Sequence, residues 1–211
     1  GARLVADRAE ALKAAYRFDG RDDSILARMP ALKGLPLTIS FWFKTSQLPA
    51  AGQYLLSHGA ESGKEPGFYC KMLGRHEEAH SRASWPKSGV QCGAVFRGDT
   101  MWAIVTSESF SVENWHHVLF SWEDSTELRL FIDGNLRPVM TERRQDELYG
   151  APAVLRLGSA PENISGGAFK GVLDDIRLYQ GILSSRELRE LSSYTPRAPG
   201  IFPSDFDEDD L

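Results

Sequence analysis

Residues 115–136, WHHVLFSWEDSTELRLFIDGNL, constrain the fold of this chain more than any other stretch. Val118, Phe120 and Trp122 alternate with His117, Leu119 and Ser121, and Leu128, Leu130 and Ile132 alternate with Arg129, Phe131 and Asp133. Successive side chains on a strand point to opposite sides, so this period of two marks strands with one face in a core. The polar linker 123–126 leaves room only for a reversal. Asp133-Gly134 supplies residue types that tolerate φ > 0 in a tight hairpin turn, so residues 136–140 are expected to pair back on 128–132. The unit is a three-stranded antiparallel meander.

The rest of the chain extends the pattern. In residues 36–45, PLTISFWFKT, Leu37, Ile39, Phe41 and Phe43 alternate with Thr38, Ser40, Trp42 and Lys44, which predicts a strand covered in part on both faces. Residues 15–18, 53–58, 67–73, 90–96, 101–106 and 172–179 read as further strands, with 97–100 a turn and 74–89 a long polar loop. Leu4, Val5, Ala9 and Leu12 fall on one stripe, predicting a short helix or linker over residues 1–14. Ser184-Ser185-Arg186-Glu187 matches a capping box, which starts a second short helix at Ser184 and carries it through Leu191. About a dozen strands with few helices predict an all-β fold, a two-sheet antiparallel jelly-roll sandwich over residues 15–194 with short N-terminal and C-terminal helices. Residues 195–211 end in SDFDEDDL, too charged and too poor in apolar surface to fold alone. This acidic, disordered tail is expected to be mobile or docked on a neighbour.

Composition excludes some partners. With 211 residues, 42% hydrophobic and 25% charged, the chain can bury one sizeable core. Lys and Arg number 24 against 29 Asp and Glu, a formal charge of −5, with no basic stripe to follow a phosphate backbone. Nucleic acid is not an expected partner. No apolar run reaches the ~18 residues of a membrane span, and Gly1-Ala2-Arg3 does not open a signal peptide. The chain is expected to be one piece of a longer protein, with neighbouring domains.

Three constellations invite chemistry. His76-Glu77-Glu78-Ala79-His80 is a literal H-E-x-x-H, the helical string in which two His bind zinc and the Glu activates a water. Its flanks, Arg75, Ser81 and Arg82, are not those of a buried helix, so a zinc hydrolase is only a remote alternative. Asp174 alternates with Val172, Ile176 and Leu178 and is therefore expected to face the core, where a carboxylate needs a cation, a hydrogen-bond donor or a metal. Pairing that sets Cys70 opposite Cys92 also sets Phe68 opposite Ala94 and Met72 opposite Val90. A disulfide is then geometrically possible, and two reduced, buried thiols are the alternative.

Trp-His-His-Val, a strand, a polar turn and Leu-Phe-Ile-Asp-Gly resemble the central meander of laminin G-like domains, which pentraxins share. Tyr16-Arg17-Phe18-Asp19-Gly20 with Asp22-Asp23, and residues 169–179, FKGVLDDIRLY, followed by Ile182-Leu183-Ser184, fit the same family in the same order. The resemblance covers roughly residues 15–192 and implies a concanavalin A-like sandwich.

It also implies an extracytoplasmic, surface or secreted setting, which favours the Cys70–Cys92 disulfide. Terminal strands of this fold usually lie side by side, which would bring Asp19, or the Asp22-Asp23 loop, near Asp174. Many relatives hold calcium, so Asp19 and Asp174 are the expected ligands of a structural calcium. His116 and His117 are expected to point one inward and one outward in packing roles. The jelly-roll glycosidase triplet E-x-D-x-E does not occur in the domain, nor does a G-x-S-x-G elbow, so the chain is expected not to be an enzyme. Its expected role is that of a recognition module binding glycan at the sandwich rim, through Arg75, His76, His80, Trp85 and Trp102. The alternative is a protein-binding or adhesive tip domain mounted on a pilus or stalk.

Overall fold

A computed structural model describes residues 1–29, 36–58, 67–74, 89–96, 99–106, 111–123, 128–137, 154–160 and 166–194. Among these lie thirteen strands and one helix: β1 Arg3–Val5, β2 Ala15–Asp19, β3 Ile25–Arg28, β4 Leu37–Lys44, β5 Gln53–His58, β6 Gly67–Leu73, β7 Gly89–Phe96, β8 Asp99–Thr106, β9 Trp115–Trp122, β10 Leu128–Ile132, β11 Asn135–Arg137, β12 Val154–Leu157, β13 Lys170–Tyr179 and α1 Ser185–Ser193. They form two antiparallel sheets. The first runs β1-β2-β13-β4-β9-β10-β11 and the second β3-β12-β5-β6-β7-β8.

The core lies between the sheets and follows the alternation. Leu37 faces Trp122, Ile39 faces Phe120 and Phe41 faces Val118 across β4 and β9, and all six side chains are buried. The second sheet answers with Leu56, Phe68, Cys70, Met72, Val90, Cys92, Leu155 and Leu157. Cys70 and Cys92 are register partners on β6 and β7 and are joined as a disulfide. In the meander, Asp133 and Gly134 take φ of 53° and 75°, the left-handed geometry that a primed two-residue turn requires. β10 returns through that turn into β11, which begins one residue before the expected Leu136.

The expected N-terminal helix does not form. Residues 3–5 are instead an edge strand, with Arg3 opposite Arg17, Leu4 opposite Tyr16 and Val5 opposite Ala15. The reason is local: the Asp7 carboxylate accepts the amides of Ala9 at 2.7 Å and Ala11 at 2.9 Å, closing a turn in which Glu10 and Lys13 have φ near +60°. A helix cannot accommodate those angles. At the other end, the Ser184 capping box is present, with Glu187 reaching back to the Ser184 amide at 2.7 Å, and α1 runs to Ser193.

The second correction concerns β13. Leu173 lies opposite the core residue Phe43, but the register then slips between Asp174 and Arg177, with Asp175 at φ 50°. This bulge makes Leu173 and Ile176, three residues apart, share the core side. Asp174 pairs with Trp42 on the outer face instead of facing inward with Ile176 and Leu178. Strict alternation across an unseen bulge put it on the wrong side.

Candidate functional site

The outer face of the seven-stranded sheet is organised in cross-strand rows. One row reads Arg3, Arg17, Val172, Lys44 and Trp115 across β1, β2, β13, β4 and β9. Here the sheet is open. A groove of about 530 Å³ is lined by Arg17, Asp19, Arg21, Lys44, Glu113 and Lys170, among others. Guanidinium and ammonium donors thus stand beside carboxylate acceptors, with a half-buried tryptophan in the same row.

The next row, Asp174, Trp42 and His117, is covered by Arg8. The Arg8 guanidinium lies 4.3 Å from the centre of the Trp42 ring. It donates to Asp174 and, at 3.4 Å, to both Asp175 and the Tyr194 carbonyl. Burial raises the Asp174 pKa and Arg8 opposes the rise. Arg177 grips Asp175 from the other side at 2.6 and 2.9 Å and lies over the Tyr194 ring at 4.9 Å.

The two histidines diverge as alternation requires. His117 is on the outer face, buried, with Nε2 2.8 Å from the Ser40 hydroxyl and its ring 5.0 Å from that of Trp42. Burial pushes its pKa down to about 4. His116 packs beside Phe43, with Nδ1 2.8 Å from Asp133 and Nε2 2.7 Å from the Ser111 carbonyl. Its burial works against the charged form, but the hydrogen bonds to Asp133 and Ser111 and the Asp133 charge outweigh it and raise the pKa. Asp133 also accepts the His117 amide at 2.8 Å, so this carboxylate ties the turn to β9.

The acidic residues separate. Asp19, Asp22 and Asp23 offer carboxylate oxygens within 4.8 Å of one another, a donor set suited to a hard cation. Asp23 there accepts the Asp19 amide at 2.9 Å. Asp174 does not join this corner. Asp19 is the register partner of Lys170, four residues before Asp174, and Asp174 is met by Arg8.

Of the expected rim residues, Arg75, His76, His80 and Trp85, and with them the HEEAH string, lie outside the described residues, as does the tail 195–211. Trp102 falls in β8, opposite Gly93. The sequence reading missed Arg8, Trp42 and Lys44. Lys44 and Trp42 were visible as the polar-side partners of β4, but nothing local to Arg8 announces a contact 166 residues away.

A laminin G-like family profile, described as the concanavalin A-like lectin/glucanases superfamily, matches residues 19–189, and the chain belongs to that family. No curated protein sequence matches it. Among solved structures it is similar to the native heptameric SAP-like pentraxin from Limulus polyphemus, at 16% identity and TM-score 0.56, with 84% of this chain and 80% of that one covered. Domain 4 of AbnA, an extracellular GH43 arabinanase from Geobacillus stearothermophilus solved with arabinotriose, gives 19% identity, TM-score 0.58, and 91% and 81% coverage. The receptor-binding domain of botulinum neurotoxin D gives 12% identity and TM-score 0.64, with 91% of this chain covering 47% of that one. At these identities the likeness is one of fold. Binding domains are well represented among such neighbours, and no helix among the described residues is long and apolar enough to cross a membrane.

Proposed function

We propose that the chain is a non-catalytic glycan-recognition module of a larger secreted or surface protein, and that saccharide lies in the groove on the outer face of the seven-stranded sheet. The observation that carries this reading is the mixed lining of that groove: Arg17, Lys44 and Lys170 beside Asp19 and Glu113. A sugar hydroxyl both donates and accepts, so paired cations and carboxylates satisfy it fully. The arabinotriose held by domain 4 of AbnA supports the ligand class on a related sandwich. Arg75, His76, His80, Trp85 and Trp102 remain candidate ligand contacts. Calcium, in this reading, belongs with Asp19, Asp22 and Asp23 and is structural. The Cys70–Cys92 disulfide supports an oxidising, extracellular location.

A glycan array probed in calcium and in chelator tests the reading. Binding to a related set of saccharides, weakened when Arg17 and Lys44 are both changed to Ala, is the expected result. An array on which nothing binds, beside protein partners captured through the same face, would favour the adhesive alternative.

A further inference from the structure

Residues 1–14 lie before the stretch matched by the family and form a strap across the domain: edge strand β1, then the Asp7 turn, which presses Arg8 onto the sheet. The pocket that receives Arg8 is built without the strap. Trp42 is backed by His117, which the Ser40 hydroxyl holds in place. Asp175 is oriented by Arg177, and Arg177 is stacked on Tyr194, whose carbonyl forms another wall. An aromatic face, two carboxylates and a carbonyl converging on one point are the elements that recognise a guanidinium, through cation–π contact and charge-assisted hydrogen bonds.

The strap fills this pocket imperfectly. Arg8 Nε is buried without a hydrogen-bond partner, although the side chain is only 5% exposed. Glu10 and Lys13 sit at positive φ, which costs non-glycine residues energy. Leu4 and Leu12 are 47% and 86% exposed, so apart from Ala2, which packs against the core, and the short pairing of β1 on β2, the strap is held at its far end by Arg8. A segment with few apolar contacts and a three-residue edge pairing belongs to the parts of a protein that open before the rest unfolds.

We propose that the pocket of Trp42, Asp174, Asp175 and the Tyr194 carbonyl is a receptor for an arginine-bearing peptide of a partner protein, and that residues 1–14 are its resident ligand in cis. When the strap lifts, two features appear together: the guanidinium pocket and the free edge of β2. A partner segment adds to β2 as a strand and places an arginine three residues beyond it, as Val5 leads to Arg8. Strand addition supplies main-chain hydrogen bonds and the pocket supplies selectivity. The inference does not rest on the glycan reading: the pocket holds none of the groove's lining residues, although Arg3 of the strap stands in the groove's row.

The probe is a synthetic peptide of residues 1–14, titrated against the full chain carrying Arg8→Ala. It is expected to bind saturably and about tenfold more tightly than the same peptide with its own Arg8→Ala, a factor in keeping with one charge-assisted contact. Wild-type chain is expected to bind it far more weakly, because the tethered strap competes at high effective concentration. Hydrogen exchange on the wild type supplies a readout that does not depend on how well the variant folds. Excess peptide is expected to deprotect the Ala14 amide, which bonds to Val5, while the amides of Phe41 and Phe120 stay unchanged. Peptide binding that ignores its arginine, or a strap whose exchange the peptide leaves untouched, would overturn the proposal. So would wild-type dimers that form by exchange of straps, since a second copy would then be the occupant.

Discussion

Asp174 and Trp42 are cross-strand partners on the outer face of the seven-stranded sheet, and Arg8 binds both at once. The carboxylate is therefore satisfied by a cation from the chain's own N-terminal segment. Removing one partner of a buried pair usually costs ~3–5 kcal/mol. Here the strap can lift and return Arg8 to water, which limits the loss, so Asp174→Asn is expected to cost roughly 2 kcal/mol. The loss should be the same in calcium and in chelator, and Arg8→Met combined with Asp174→Asn should cost less than the sum of the two. Urea denaturation in both buffers checks this. A loss found only in calcium would make Asp174 a metal ligand.

Calcium is expected to raise the melting temperature through Asp19, Asp22 and Asp23, because a ligand that binds only the folded state stabilises it by mass action. Asp19→Asn should abolish the increment and Asp174→Asn should leave it. Melting curves identical in calcium and chelator for the wild type would contradict the assignment.

The histidines set opposite pH limbs. His58, stacked on Phe68 at 4.8 Å, and His117 are both held at about 4 by burial. The unfolded chain takes up their protons near 6.5 while the native state resists until about 4, so stability falls as pH drops through that window, by up to roughly 3 kcal/mol per histidine. His116 has a raised pKa, and its contribution is complete below 6.5 and lost as pH rises through the folded value. Urea midpoints from pH 4 to 8 should show both limbs, with Asp133→Asn flattening the upper one and, because the Asp133 charge also favours protonated His117, moving the lower one to lower pH. A profile unchanged by Asp133→Asn would detach His116 from it.

The disulfide joins two cysteines with a sequence separation of 22 residues. Chain-entropy arguments put such a crosslink at about 3 kcal/mol. Cys70→Ala with Cys92→Ala should lower stability by that order, measured by urea denaturation without reductant. Equal stability of the variant and the wild type would show that the crosslink contributes nothing.

The strands with strict alternation were legible because a period of two also identifies which side chains meet. Leu37, Ile39, Phe41, Val118, Phe120 and Trp122 are all where that rule puts them. β1, β3 and β12, of three or four residues each, were not, since so short a run cannot display a period. Asp174 was misplaced for a related reason: the bulge at Asp175 is one extra residue, and nothing in the local pattern marks it. The Asp133-Gly134 turn and the Ser184 cap were readable because each depends on residues within three positions of one another. The groove and the Arg8 pocket were not, because they assemble from β2, β4 and β13, whose adjacency comes from topology.

Saccharide is proposed to occupy the groove between Arg17 and Lys44. Titrating isotopically labelled protein with the strongest array saccharide, and following backbone amide shifts, tests it most directly. Saturable shifts clustered at Arg17, Asp19, Lys44, Glu113 and Lys170, with β6 and β7 unmoved, are the expected result. Shifts confined to β6, β7 and β8, with the groove amides silent, would contradict it.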